Sequence, residues 1–393
     1  MNKTILNTEI QNFINNNLNK NIQELVLKGI SFEGVSTTEL VEQIEAKKRC
    51  NKKLPTWFET SKIYYPNKLN IEQTSSETTA RYKSELISGK SLIDLTGGFG
   101  VDTLYFSKQF NHVVHCELNP ELSNLAAYNF QKLNALNIET IANDGLEYLR
   151  NSSQVFDWIY IDPSRRHDTK GKVFFLNDCL PNVPEHLDVL LDRSPNLLVK
   201  TSPLLDISVG LNELKHVKTI HIVAVDNDVK ELLWHLKKDF LGDLEIKTAN
   251  IKKERIEVFN FLWSSEKSIK SNFNKPLKFL YEPNAAILKA GAFNSVSSQF
   301  GVSKLHKHSH LYTSNQLVDF SGRRFQIEKT LPYNKKEIKS LGVKNANITT
   351  RNFPETVEQI RKKFKISDGG DTYLFFTTQS LNDKIVLLAR KLD

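Results

Sequence analysis

Apolar positions in the first 88 residues recur at helical spacing. Ile5, Ile10, Phe13, Ile14 and Leu18 fall near a 3.6-residue period, as do Leu40, Val41 and Ile44. Thr37 and Thr38, followed by Glu39 and Glu42, mark a helix start. The run KKRCNKKLPTW places five basic residues before Pro55 and reads as a solvated helix end. Residues 1–88 are thus expected to form a helical cap.

From Ser91 the pattern changes to short apolar runs separated by helical segments. SLIDLTGG, HVVHCEL, IETIAND and FDWIYIDPS read as strands, with NPELSNLAAYNFQKLNAL and DGLEYLRN as helices between them. NLLVKTSP, KTIHIVAVD, VKELLWHLKKDF, LEIKTANI and IEVFNFLW continue the succession to Trp263. Regular strand–helix–strand alternation predicts an α/β fold, a mainly parallel Rossmann-like sheet with helices on both faces, over residues 89–264. Residues 264–276, SSEKSIKSNFNKP, read as a polar linker. Two small units follow. Residues 277–320 contain YEPNAAILKAGAF and HKHSHLY. Residues 321–393 read as α+β, with the helices KKEIKSLGV and ETVEQIRKKF, the strands RRFQIEKTLPY and ANITTRNF, and a terminal hairpin of TYLFFTT and KIVLLARKL.

Composition narrows the class. The chain has 393 residues, 39% hydrophobic and 25% charged. That is too long for one core and too ordinary for a disordered, collagenous or coiled-coil chain. No apolar run approaches the ~20 residues a membrane helix needs. The N-terminus has neither the apolar core nor the cleavage site of a secretory signal. Cys50, Cys116 and Cys179 are far apart and odd in number, so neither a disulfide framework nor a cysteine zinc site is expected, and the expected compartment is the cytoplasm. The net charge of +8 divides unevenly: Lys267–Asp393 carry +12 and the rest of the chain −4. A basic appendage on a mildly acidic body points either to a polyanionic partner or to lysines that serve solubility.

The chemistry concentrates between residues 94 and 163. Four successive strands end in acids: Asp94, Glu117, Asp144 and Asp162, the first followed by Leu-Thr-Gly97-Gly98-Phe-Gly100 and the last by Pro163. In an open α/β sheet these carboxylates line the edge that binds ligands. Glycines let the backbone approach a ligand, Glu117 can accept ribose hydroxyls, and Asp144 is placed for an adenine amine. A dinucleotide fits poorly, because Thr103 replaces the third small residue of its fingerprint and Asp94 would crowd a pyrophosphate. S-adenosylmethionine is cationic and suits acidic strand ends.

These residues resemble the motifs of class I S-adenosylmethionine-dependent methyltransferases: DLTGGFG, HCELNP, ANDGLEYL and IDPSRR in order. More narrowly, EQTSSETTARYKS, VKTSPLLD, YEPNAAILKAGAF, NITTRNFP and DGGDTYLFFTT resemble bacterial methyltransferases that carry a small ferredoxin-like segment and a C-terminal THUMP-like domain, over residues 70–393. The resemblance implies that Asp94, Thr96, Gly97, Gly98 and Gly100 line the methionine part of the cofactor. It implies Glu117 at the ribose, Asp144 and Gly145 at the adenine, and Asp162 and Pro163 facing the methyl acceptor. It also implies an RNA substrate, tRNA or rRNA, presented by the C-terminal modules. A protein or small-molecule methyltransferase, and a cofactor-binding RNA-binding protein without turnover, remain open beside it.

Amine-methylating relatives carry an Asp/Asn-Pro-Pro-aromatic run where this chain has Asp162-Pro163-Ser164-Arg165-Arg166. The catalytic candidates are Asp162, Pro163, Ser164 and Arg165. Arg165 and Arg166 can clamp a phosphate or pair with Asp168 or Asp178. Lys200-Thr201-Ser202-Pro203 after the fifth strand would lie on the acceptor side, as a pocket wall or a turn, with Asp226 and Asp228 as weaker candidates. Arg323, Arg324, Arg361, Lys362 and Lys363 are candidates for RNA contacts or for solvated element ends. His306, His308 and His310 would share one face of a strand; without a clear fourth ligand no metal is expected, and with Lys304 and Lys307 the strand reads as phosphate-facing or solvated. Trp57, Tyr64 and Tyr65 can stack on a base or fill the core of the cap.

Overall fold

Ser36 starts the longest helix of the N-terminal region. Its hydroxyl accepts from Glu39 N–H, and the Glu39 carboxylate accepts from Ser36 N–H, a reciprocal capping box at the head of Thr37–Lys53. The computed structural model describes residues 1–393 except 28, 31, 166–174, 381 and 393. Further helices at Thr8–Asn16, Ile22–Leu27, Pro55–Glu59, Lys68–Gln73 and Glu77–Glu85 complete the cap. Ile5, Ile10, Ile14, Leu25, Leu40 and Ile44 form its small apolar core. Trp57 and Tyr65 belong to a second core with Phe99, Leu104 and Phe130. Trp57 is fully buried and Tyr65 donates its hydroxyl to Trp57 O at 2.8 Å, so both act as core residues and not as a base platform.

The chain divides into two compact units, Met1–Lys218 with Leu232–Leu241, and Thr219–Glu231 with Gly242–Asp393. In chain order the strands are β1 (Gly89–Asp94), β2 (Phe110–Cys116), β3 (Ile138–Ile141), β4 (Trp158–Ile161), β5 (Ser164–Arg165), β6 (Cys179–Leu180), β7 (Asn196–Thr201), β8 (Val217–Val225) and β9 (Asp228–Lys237). In the first unit the order is β9-β7-β4-β1-β2-β3, parallel apart from β9, with the helices Val101–Phe106, Pro120–Lys132, Gly145–Asn151 and Val183–Arg193 between strands. This is the mixed α/β, Rossmann-like architecture that the alternation predicts. One segment breaks the alternation. VKELLWHLK is strand β9, antiparallel to β7 from Asn196↔Lys237 to Thr201↔Leu232. Leu232, Leu233 and Trp234 are all fully buried, and a strand covered on both faces shows no period-2 signature.

In the second unit come β10 (Glu245–Ile251) and β11 (Ile256–Leu262), with β10 parallel to β8 and antiparallel to β11. Then follow β12 (Phe279–Pro283), β13 (Ser303–Lys304), β14 (Tyr312–Ser314), β15 (Gly322–Pro332), β16 (Asn347–Arg351), β17 (Thr372–Thr378) and β18 (Lys384–Leu392). These seven form one sheet, ordered β13-β14-β12-β15-β18-β17-β16. The antiparallel β12–β15 pair joins the strands of residues 277–320 to those of 321–393. β17 and β18 make the terminal hairpin, and the helix Val357–Phe364 is the crossover between parallel β16 and β17. Leu280, Leu305, Phe325, Phe375 and Leu387 fill the core on one face; Ile338, Ile360, Leu374 and Phe376 fill it on the other.

Two sequence readings change here. Residues 264–276 are not a free linker: Trp263–Ser268 is helical, and the Glu266 carboxylate accepts from Asn294 N–H at 2.7 Å and Ser295 N–H at 2.8 Å, satisfying the head of the helix Phe293–Phe300. HKHSH is a turn between β13 and β14 and not a strand. His306 bonds Asn352 and Asn382, whereas His310 stacks on Phe293 with ring centroids 3.6 Å apart. Among the described residues, no helix is long and apolar enough to cross a membrane.

Candidate functional site

The chain leaves β1 for β2 on one side, while β4 lies on the other and leads to β7. The two crossovers diverge here, which makes the carboxyl ends of β1 and β4 the switch point of the sheet. The loop after Asp94 is laced to every neighbouring strand end. Leu95 N–H donates to Tyr160 O at 3.0 Å and Gly97 N–H to Cys116 O at 2.8 Å. Gly98 N–H donates to Glu117 Oε2 at 2.9 Å, and Thr96 Oγ1 accepts from Asp162 N–H at 2.7 Å. Thr96, Gly97, Gly98, Glu117 and Asp162, with two of the four strand-end acids among them, are therefore brought together.

Two glycines have a physical necessity. At Gly97 a Cβ would sit 2.3 Å from the His115 ring; at Gly100, where φ is +83°, it would sit 2.3 Å from Phe130. Neither position has room for a side chain, so the loop lies directly on the buried His115 and Phe130 rings. The His115 ring, fully buried beneath Gly97 and edge-on to Phe130 at 5.3 Å, is pushed down to about 4 by burial. Sequence reasoning passed over His115, whose position two residues before Glu117 was the available signal.

Asp94 has a different place from the open edge expected for it. It is 1% exposed, and its carboxylate accepts from Thr96 N–H at 3.0 Å and from Thr103 Oγ1 at 2.7 Å. Burial raises it to about 7, against the pull of the Thr103 and Thr96 hydrogen bonds, with Asp102 and Asp162 adding to the rise. Asp94 thus shapes the loop from inside. Thr103, which departs from the dinucleotide fingerprint, is the hydroxyl that satisfies it.

Beside Asp94 lies a polar network that the sequence did not reveal. The fully buried Lys83 ammonium is 3.2 Å from Asp102, which also accepts from Ser75 Oγ at 2.8 Å and the Tyr160 hydroxyl at 2.7 Å. Burial raises the Asp102 carboxyl, but Lys83, then Lys200, Tyr160 and Ser75 outweigh it and hold it below its ordinary value.

Asp162 is partly exposed and ion-paired with Lys200, whose side chain is largely buried at the end of β7. Pro163 is buried; Ser164 and Arg165 form β5 against β6. Arg166 and Asp168 lie outside the described residues. Thr201 is buried and accepts from the Trp234 indole at 2.9 Å, and Ser202 Oγ accepts from Leu204 N–H at 3.2 Å in a turn, so these two are committed locally. Asp226 has φ +50° in the turn after β8, and Asp228 pairs with Lys230. Glu117 Oε1 accepts from Asn119 N–H at 2.8 Å. Asp144 Oδ1 caps the helix Gly145–Asn151 through Glu147 N–H at 3.0 Å; its other oxygen has no hydrogen-bond partner among the described residues.

The basic candidates in the second unit differ in their engagement. Arg323 is bound to the buried Glu282, and Arg324 lies 3.7 Å from Asp319. Arg361 holds Asp368 and donates to Ala346 O at 3.1 Å, clamping the turn after its own helix. Lys363 donates to the Tyr333 hydroxyl at 2.7 Å and to Glu355 at 2.9 Å. Lys362 is exposed.

Comparison with known proteins bears on the whole chain. A ferredoxin-like domain model matches residues 279–320 and a THUMP-domain-like model matches residues 322–391. A search of curated proteins gave no match. The crystal structure of a "putative methyltransferase from Porphyromonas gingivalis W83" is 32% identical and covers 100% of this chain and 99% of its own, with a TM-score of 0.90. An rRNA methylase from Streptococcus thermophilus is 16% identical over 41% of this chain and 94% of its own, with a TM-score of 0.30. M. capricolum TrmK, in complex with S-adenosyl-homocysteine, is 14% identical over 45% of this chain and 70% of its own, with a TM-score of 0.31. With one relative matched end to end at that identity, the chain belongs to the family of the Porphyromonas gingivalis protein, which joins a class I methyltransferase fold to a ferredoxin-like segment and a C-terminal THUMP-like domain.

Proposed function

We propose that this protein is an S-adenosylmethionine-dependent RNA methyltransferase of the cytoplasm, with residues 89–264 as the catalytic domain and the basic modules at 277–320 and 321–393 presenting the RNA. The observation that carries the reading is the meeting of the glycine loop, Glu117 and the Lys200-paired Asp162 at the switch point of one parallel sheet. The donor set fits a cationic, phosphate-free cofactor: carboxylates surround the loop, while Gly97, Gly98 and Gly100 leave its backbone bare. Bound there, the cofactor supplies an electrophilic methyl group.

In this reading the residues of the chain do the positioning. Backbone groups of Gly97–Gly100 hold the methionine end, Glu117 the ribose, and Asp144 with Gly145 the adenine. The Asp162 carboxylate accepts a hydrogen bond from the acceptor and aims its lone pair at the methyl carbon, at the ~3–3.5 Å of a reactive contact. Lys200 fixes the direction of that carboxylate. Pro163 walls the acceptor side, and Ser164, Arg165 and Arg166 flank the substrate entry. Isothermal titration with S-adenosylmethionine tests the cofactor reading. Nucleoside mass spectrometry of RNA from a strain lacking the protein tests the substrate, through a missing methylated nucleoside.

The engagement of Arg361 and Lys363 within the protein favours one second reading, methylation of a protein or small molecule. Salt separates the two, because phosphate contacts release counterions and make RNA affinity fall steeply as salt rises.

A further inference from the structure

Glu282, the penultimate residue of β12, has its side chain 4% exposed, and two arginines converge on it. Arg323 on β15 donates to Oε2 through Nε at 2.7 Å and also through Nη2. Arg351, at the end of the edge strand β16, donates to Oε1 through Nε at 3.0 Å and Nη2 at 2.7 Å. Arg323 Nη2 also lies 3.4 Å from Thr349 Oγ1, and its guanidinium packs over Phe325. We propose that this Arg323–Glu282–Arg351 cluster binds a phosphodiester group of the RNA backbone.

The charge count motivates it. One bidentate arginine neutralises a buried carboxylate, and a second leaves one uncompensated positive charge beside a like charge. A cross-link for stability alone does not require that excess. The arginine side chains are 38% and 37% exposed, so each guanidinium presents an edge to solvent while its other edge is locked on Glu282. The Nη1 groups of both have no acceptor among the described residues. Two planar forks held at fixed orientation, with the Thr349 hydroxyl of β16 beside the Arg323 fork, match the bidentate geometry that arginine uses on phosphate. The surroundings are positive as well: besides burial, Lys304, Arg351 and His308 all press the His310 imidazole downward. Arg324 points to the opposite face, toward Asp319, and lies outside the cluster.

The proposal takes its phosphate source from the RNA reading above. Its test measures the full chain against a short labelled oligouridylate by fluorescence anisotropy, at about 50 to 200 mM salt. Arg351→Gln and Arg323→Gln are each expected to bind about tenfold more weakly and to flatten the slope of log affinity against log salt by about 0.7. Glu282→Gln, which removes the negative charge, is expected to bind at least as well as wild type, with a steeper slope. Folded arginine variants that bind with wild-type affinity and slope overturn the site and leave the RNA reading standing. If the wild-type chain binds no oligouridylate, the RNA reading fails, and inorganic pyrophosphate becomes the probe. Pyrophosphate binding that Arg351→Gln abolishes keeps the phosphate site; no binding overturns it. Should Arg351→Gln fail to fold, Arg351→Lys keeps the charge without the fork and is expected to show the weakened affinity with an unchanged slope.

Discussion

The Lys200 ammonium at the end of β7 is ion-paired with the Asp162 carboxylate at the end of β4. The side chains are thirty-eight positions apart in the chain. In the proposed function the pair sits on the side from which the acceptor approaches the cofactor. It gives Asp162 one direction, because its backbone N–H is held by Thr96 and one side-chain oxygen by Lys200.

Asp162→Ala is expected to lower turnover by about 100-fold or more, the usual contribution of a positioned proton acceptor. Lys200→Met is expected to lower kcat less, by loosening that carboxylate. In both, calorimetric affinity for S-adenosylmethionine should stay within a few-fold of wild type. Loss of cofactor binding alongside turnover would assign the pair to the cofactor site instead.

Asp94 makes the stability of the first unit depend on pH. Its folded pKa of about 7 lies above the ordinary 3.8 of an aspartate, so the native state holds a proton that the unfolded chain has released. Stability is then highest near the unfolded pKa and falls as pH rises toward the folded one. Between pH 5.5 and 8 wild type should lose about 2 kcal/mol relative to Asp94→Asn, at 1.36 kcal/mol per pKa unit. Urea unfolding of the two proteins at both pH values measures the difference, and a constant difference would refute the assignment.

Lys83 and Asp102 form a buried pair, so removing one partner strands the other. Lys83→Met is expected to destabilise the protein by about 3–5 kcal/mol. Adding Asp102→Asn should recover part of that loss, since no buried charge is then left alone. A double-mutant cycle by chemical denaturation reads the coupling; additive effects would mean that the two side chains act separately.

Gly97→Ala drives a Cβ into the His115 ring and should displace the loop that spans the candidate cofactor site. A loss of at least about tenfold in S-adenosylmethionine affinity is expected, equivalent to 1.4 kcal/mol. His115→Ala removes the obstructing ring, so the double variant should regain affinity over Gly97→Ala. No rescue would indicate that the loss does not arise from the contact with the His115 ring.

The order of elements was legible in the sequence because local patterns encode it. The period change near Ser91, the acids at four strand ends and the helix start at Thr37 and Thr38 all act within a few residues. They predicted the helical cap, the α/β sheet and the edge that carries the candidate site. The VKELLWHLK strand was illegible for a physical reason: doubly buried strands show no alternation. HKHSH looked like a strand by alternation alone, yet it forms a turn in which His306 reaches both Asn352 and Asn382.

By itself the sequence determined which residue types stand at each strand end, and with them the class of ligand the sheet edge suits. Tertiary structure decided what each charge faces. It placed Asp94 inward on Thr103, joined Lys200 to Asp162, and set Lys83 on Asp102. It also set two arginines from different strands on one buried glutamate. Such partnerships depend on sheet order and on burial, and the free energy of a charge depends on both. Residue identity could name the carboxylates; only packing could separate those that shape the loop from those that remain available to a ligand.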